Sequence, residues 1–397
     1  MKNIAAFLVF FLFGLTASAQ YYYQDSNNYE MLRHSLRHEP CKKEIILPVV
    51  NGYNVYKADL HTHTIFSDGF VHPLFRVQEA WYDGLDVMAV TEHMEYRSHE
   101  KELVDYLKKY VNDRYKGAVN EIIMENAPTE DGIMVDLNYC VRESQKIAEQ
   151  YGITIIPGSE ITRDGTTVGH YNALFTTDNN LLYNPDPVQA IRNAKAQGAL
   201  VMHNHPGWRK ENLNFTETDK AAYGEGLIDG VEVMNGPEFY PAIIDRALER
   251  GLFMAANSDI HRTTATDYKL TGAMRTMTFI FAKDKSLSSI REALQEQRTL
   301  AFGYNTICGA EQLLKDFFLA GVRTEVMMTD SKGVSTVMLT NTTSLPYLIK
   351  LGQSNPVCLD PFSTISLKSS AGSKELKVEI LNMFCLKDTH PVVDIAF

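Results

Sequence analysis

Between residues 49 and 305 the chain alternates short apolar runs with amphipathic stretches. Val55–Leu60, Asp86–Val90, Ile153–Ile156, Tyr171–Phe175, Ala199–Met202, Gly230–Met234 and Leu252–Ala255 have the length and composition of strands. The stretches between them carry helical spacing. Pro73 opens a helix through Val77, Ala80 and Trp81, with Gly84 behind it. A highly charged helix is predicted over Leu103–Ile123. Leu137, Cys140, Val141, Ile147 and Ala148 recur on one helix face, and Gly152 caps it. Residues 187–197 and 238–250 supply two more helices. Repeated βα units imply a parallel sheet, and this many units fits a barrel over residues 49–305.

Beyond this region the pattern changes. A short helix at Glu311–Leu319 gives way to alternating runs at Val334–Leu339, Tyr347–Leu351, Thr364–Leu367 and Leu376–Leu381, separated by Ser, Thr, Asn and Gly turns. Alternation with turn residues predicts a small antiparallel β domain over 310–397, without clustered catalytic residue types. At the other end, Lys2, the apolar run Ile4–Leu15 and the small residues Ala17-Ser18-Ala19 have the order of a secretory signal peptide, 1–19. Residues 20–48 are polar and end in Ile45-Ile46-Leu47-Pro48, which predicts a strap onto the barrel. The expectation is an exported protein, periplasmic or secreted, with no membrane span after cleavage.

Composition bounds the partners. The 397 residues are 45% hydrophobic and 22% charged, ordinary for a globular protein, and the length suits two domains. The net charge of −11 disfavours a nucleic-acid backbone as the main partner, so no nucleic acid is expected. Five cysteines lack any C-x-x-C spacing, which argues against zinc ribbons and redox motifs. Export permits disulfides, and Cys358 and Cys385 could pair; buried, unpaired thiols are the favoured reading.

The chemistry sits at the ends of the apolar runs. In Asp59-Leu60-His61-Thr62-His63, His61 and His63 face one side of a strand, because side chains alternate, and Asp68 follows in the next loop. His93 ends Val90-Thr91-Glu92-His93, Glu160 ends Pro157-Gly158-Ser159-Glu160, and His170 opens the next run. Met202-His203-Asn204-His205 ends in two histidines, and Asp259 and His261 close Asn257-Ser258-Asp259-Ile260-His261. Carboxylates and imidazoles converging on one barrel mouth would repel or stay unsatisfied unless cations filled the space. The strand ends of a βα barrel are also where catalytic groups collect.

These blocks, H-x-H…SDG, TEH, GSE, HP and SD-x-H, resemble in order and spacing the PHP (polymerase and histidinol phosphatase) superfamily over about residues 50–305. The resemblance implies a distorted (β/α)7 barrel with two or three divalent metal ions, Zn, Mn or Fe. It implies nine ligands: His61, His63, Glu160 and Asp259 for one metal, Asp68, His93 and His261 for a second, with Glu160 bridging to a third held by His170 and His205. Some relatives have His where this chain has Asp68, which leaves the metal open. The segments Thr91–His99, Asn204–Trp208 and Arg275–Thr278 resemble an exported branch of the family associated with phosphodiester hydrolysis. The function expected is therefore a metal-dependent phosphoesterase acting on small organic phosphodiesters through a metal-activated hydroxide. A phosphomonoesterase of the same fold and a metal-dependent hydrolase of a C–N bond are the alternatives. His203 is a candidate general acid or phosphate contact, and Arg97 and His99 are candidate phosphate contacts. Arg163, Arg209 and Arg262 are further candidates, and Glu92 and Asn204 are read as orienters of neighbouring ligands or as packing.

Overall fold

The computed structural model describes residues 41–110, 122–123, 135–162 and 169–397. The expected signal peptide, the strap up to residue 40, the charged helix beyond Tyr110, apart from Ile122 and Ile123, and Arg163 lie outside the described residues. No described helix is long and apolar enough to cross a membrane.

The main sheet is built from β1 (Asn54–Asp59), β2 (Val87–Val90), β3 (Thr154–Ile161), β4 (His170–Leu174), β5 (Leu200–Asn204), β6 (Gly230–Asn235), β7 (Glu238–Phe239), β8 (Phe253–Asn257), β9 (Met277–Ala282), β10 (Thr299–Gly303) and β11 (Thr306–Gly309). The order is β11-β10-β9-β1-β2-β3-β4-β5-β6-β7, with β8 paired to β6. The sheet curls until β8 meets β9, where the Ala256 N–H donates to Thr278 Oγ1 at 3.0 Å and the Thr278 hydroxyl donates to the Ala256 carbonyl at 2.9 Å.

The result is a curled, mixed half-barrel rather than the all-parallel sheet expected from βα repetition. β1-β2-β3 and β5-β6-β8 are parallel, but β4 runs antiparallel to both neighbours, and β9, β10 and β11 are antiparallel. The chain from Ile161 to His170 is too short for a helical crossover, so β4 must return beside β3. Its first residue, His170, therefore stands at the same end as the last residues of its neighbours, opposite Asn204.

The strands are apolar because both faces are covered. Val87, Met88, Ala89 and Val90 of β2 are all buried. Helices cover the outside. The helix Pro73–Tyr82 starts at a proline, with the His72 ring accepting the Leu74 N–H, and buries Val77, Ala80 and Arg76.

The C-terminal region contains β12 (Val322–Thr329), β13 (Ser335–Asn341), β14 (Tyr347–Leu351), β15 (Val357–Leu359), β16 (Thr364–Lys368), β17 (Glu375–Ile380), β18 (Met383–Phe384) and β19 (Val392–Ala396). Two antiparallel sheets form, β12-β13-β16 and β15-β14-β17-β19, while β18 leaves them to pair in parallel with β11 of the main sheet. The helix Glu311–Gly321 ties the regions together. Phe317 lies 6.0 Å from Phe279 of β9, and Phe318 lies 5.0 Å from Tyr347 of β14, measured between ring centres. Cys358 and Cys385 are not paired with each other; Cys140, Cys308 and Cys385 are buried.

Candidate metal centre

The extended segment following β1 delivers His61 and His63 with alternation intact, both fully buried. Their Nε2 atoms are 3.0 Å apart. Asp68 comes from the turn behind them. That turn packs tightly, because a Cβ added at Gly69 would lie 2.8 Å from backbone atoms of His63 and Thr64. Glycine is required there by close approach of two chain segments.

Glu160 stands at the centre. Its Oε2 lies 3.3 Å from Nε2 of both His61 and His63 and 2.8 Å from Nδ1 of His93. Its Oε1 lies 3.3 Å from His170 Nδ1 and 3.7 Å from His205 Nε2. Asp259 Oδ1 lies 3.2 and 3.1 Å from Nε2 of His61 and His63. Asp68 Oδ1 lies 3.1 Å from His261 Nε2 and 3.4 Å from His93 Nε2. Three groups of donor atoms result, each gathered within 4.8 Å: His63, Asp68, His93 and His261; His61, His63 and Asp259; and His61, Glu160 and His205. All nine residues expected as ligands thus meet at one end of the half-barrel, His170 through Glu160.

Two observations fit this set to cations. Glu160 Oε2 and Asp68 Oδ1 are buried and accept no hydrogen bond, although imidazole nitrogens crowd both. Lone pairs that converge without a proton between them are what a metal ligand set requires. The electrostatics agree. Burial alone would push His61 down, yet Asp259, Glu160 and Glu232 hold it well above its ordinary value. Burial is likewise overcome at His93, raised to about 10 by Glu160 and Asp68. For the acids, burial favours the neutral form, but His93 and His61 keep Glu160 well below its ordinary value. The cluster is short of positive charge.

A second layer holds these ligands. Glu232 of β6 is fully buried, and its Oε1 accepts His61 Nδ1–H at 3.0 Å and the Asn257 amide at 2.9 Å. Its Oε2 accepts the His205 backbone N–H at 2.7 Å and the Asn235 amide at 2.9 Å. Glu232 was not anticipated from sequence; its signal was one acid inside the otherwise apolar run Gly230–Met234. Glu92, read as an orienter, accepts the Ser67 hydroxyl at 2.5 Å and the Thr64 N–H at 3.1 Å, and Ser67 Oγ is 3.4 Å from His63 Nδ1. Asn204 donates to Glu160 Oε1 at 2.9 Å. Below the cluster, Arg275 forms a buried ion pair with Asp59 at 2.7 Å.

The remaining sequence candidates separate. His203 points to the other side of β5 from Asn204. It is buried beside Tyr171, with Nδ1 3.0 Å from the Tyr223 hydroxyl and Nε2 3.4 Å from Asp219. Its neighbour His205 reaches the cluster because a φ of 23° turns the chain there and breaks the two-residue period. Arg97 is nearly buried and is spent on the chain itself, donating to the His93 carbonyl at 3.0 Å and pairing with Glu100 at 3.4 Å. His99 packs its ring 5.3 Å from Phe70. Arg209 and Arg262 are exposed and have no hydrogen bond or ion pair among the described residues. Arg209 instead lies over the Trp208 ring, 4.3 Å from its centre.

Comparison with known proteins finds similar solved structures. A Bacteroides vulgatus two-domain protein containing a predicted PHP-like metal-dependent phosphoesterase is 34% identical, with a TM-score of 0.76 over 90% of this chain and 99% of that one. The chain belongs to the PHP superfamily. PHP membership accounts for the order of the ligand blocks along the sequence. More distant neighbours include a Bifidobacterium adolescentis protein provisionally named a metal-dependent phosphoesterase, 17% identical over 60% of this chain and 96% of that one, TM-score 0.37. A lesion-specific endonuclease from Pyrococcus furiosus is 17% identical over 65% of this chain and 59% of that one, also with a TM-score of 0.37. The expectation that nucleic acid is excluded gains no support from these neighbours. No family model and no curated protein matches the chain.

Proposed function

We propose that this PHP protein is an exported phosphodiesterase that hydrolyses small organic diesters at a centre of up to three divalent ions. The observation that carries the reading is the convergence of eight buried or half-buried donor residues around Glu160, with Glu160 Oε2 and Asp68 Oδ1 left without hydrogen bonds. His61, His63, Glu160 and Asp259 would hold one ion, Asp68, His93 and His261 a second, and Glu160, His170 and His205 a third. Such ions supply Lewis acidity, which lowers the pKa of bound water and offsets charge on phosphoryl oxygens.

The protein's own part is to hold these donors rigid and dry. Glu232 fixes His61 with Nε2 toward the cluster, and Ser67 with Glu92 does the same for His63. In the net reaction a water oxygen bonds to phosphorus, the phosphorus–oxygen bond to one alcohol breaks, and that alcohol leaves with a proton. Charge favours diesters over monoesters. With Arg97 spent on His93 and Glu100, the exposed candidate arginines that remain among the described residues are Arg209 and Arg262, which suits a monoanion better than a dianion. The deciding experiment is metal analysis of the purified protein, followed by phosphomonoesters, phosphodiesters and amides with added Mn²⁺ or Zn²⁺. Diester turnover that a chelator abolishes is expected. Turnover of monoesters alone, or of amides alone, overturns the reading.

A further inference from the structure

The cluster has two ends, and aromatic side chains stand at both, exposed at one and half-buried at the other. At the Asp68–His93–His261 end, Tyr96 is 53% exposed with its ring edge-on to ligand His93, centres 5.8 Å apart. Phe70, two residues after Asp68, is 64% exposed, and its N–H donates to the carbonyl of ligand His261 at 2.8 Å. At the Glu160–His170–His205 end, Trp208 lies 5.1 Å from His170 and 5.4 Å from His205, with Arg209 over its ring. Arg209 holds a left-handed backbone, φ 53°, rare for a residue with a side chain. Strain of this kind persists where the surrounding structure enforces it, and it clusters at ligand-binding positions.

Exposed rings beside a polar metal floor cost solvation and do nothing for the core, so a ligand is the natural partner for them. An arginine stacked on tryptophan keeps its N–H edges free for an anion while its flat face is held. On the hydrolase reading above, which this inference deepens, the substrate has a charged phosphoryl group and two organic arms. We propose that Phe70 and Tyr96 form a subsite for a planar ring on one ester arm of the substrate, while Arg209, propped on Trp208, meets the phosphoryl charge from the other end. The substrate class is thus a diester with an aryl arm.

The test measures binding, so it does not depend on turnover. Metal-loaded full-length protein is titrated calorimetrically with diphenyl, dicyclohexyl and diethyl phosphate, all monoanions. Diphenyl phosphate is expected to bind at least about fivefold more tightly than either of the others, the scale of one or two aromatic contacts. In Phe70→Ala/Tyr96→Ala that preference disappears while diethyl phosphate binds as before; both side chains are exposed, so folding is spared. In Arg209→Ala all three esters weaken together. Equal binding of diphenyl and dicyclohexyl phosphate, or a preference that survives the double substitution, overturns the subsite. If no diester is hydrolysed yet the ring preference holds, the hydrolase reading fails and the subsite stands.

Discussion

Replacing Glu232 by Gln isolates the part of the site that no sequence motif announces. The carboxylate accepts four hydrogen bonds, two on each oxygen. An amide keeps one oxygen and turns the other into a donor. If the Oε1 side becomes NH₂, it opposes His61 Nδ1–H and the Asn257 amide, and Asn257 cannot flip because its oxygen accepts the Leu60 N–H at 2.8 Å. If the Oε2 side becomes NH₂, it opposes the fixed His205 backbone N–H. Either way about two bonds to a buried charge are lost, each contributing about 1.5–3 kcal/mol. Burial and Asp259 work against the Glu232 charge, but His61 and His205 hold its carboxyl below the ordinary value, so part of the loss falls on the protein without metal. Misorienting His61 and His205 adds a penalty in the metal-bound form, read as about a 10–100-fold loss of metal affinity. Chelator competition for Mn²⁺ or Zn²⁺, with melting temperatures measured with and without metal, reads both quantities, and exposed Glu217→Gln serves as control. Wild-type metal affinity, or an equal drop in melting temperature in both forms, would refute the idea that Glu232 orients ligands.

Three further substitutions probe the surroundings. His203→Asn should cost about 1–3 kcal/mol of stability through the lost Tyr223 and Asp219 partners and leave ester turnover unchanged; a selective loss on esters with poor leaving groups would restore its role as an acid. Arg275→Met strands the buried Asp59 carboxylate and should destabilise by about 3–5 kcal/mol in denaturant titration; a cost under about 1 kcal/mol would show that Asp59 is compensated elsewhere. Asp86, mostly buried, would be raised by burial but is held below its ordinary value by Lys57 at 2.5 Å and by Lys42. Its folded pKa is depressed, so its stabilisation is present above the unfolded value of about 3.9 and is lost as pH falls through the folded pKa. Asp86→Asn should be less stable than wild type near neutral pH and converge with it in acid; a gap independent of pH would contradict the ion pair.

The convergence of the candidate donors was legible because their chemistry is carried by residue type at strand ends, which survives errors in topology. His170 was found at the start of a strand, although the direction of that strand was not foreseen; only the short step from Ile161 to His170 hinted at the antiparallel return. His203 was assigned by extending the alternation of β5 through His205, and the φ at His205 ends that alternation. Three of the four bonds of Glu232 go to residues distant in sequence, so the lone acid in an apolar run is its main local mark. β12 escaped because Val326, Met327 and Met328 are all exposed, leaving no buried face to mark the strand.

Two of the ligands, His205 and Asp259, sit at positive φ, 23° and 51°. Such backbones cost about 1–3 kcal/mol each and revert unless something holds them. Both are held through the main chain by the strands that also carry the metal ligands or their supports. The His205 N–H is bound by Glu232 of β6, which also fixes His61. The Asp259 N–H donates to the His61 carbonyl at 3.0 Å, and Ser258 before it is tied to Asp59 of β1 through both its N–H and its hydroxyl. Each strained donor is thus fastened to another donor of the cluster, or to that donor's support. Glycine at either position would relieve the strain and remove the ligand, so the conformational cost is inseparable from the donor. The ion pair of Asp59 with Arg275 and the hydrogen bonds of Glu232 therefore serve the centre by geometry: they keep two unfavourable backbones in place so that donors from separate strands meet around Glu160.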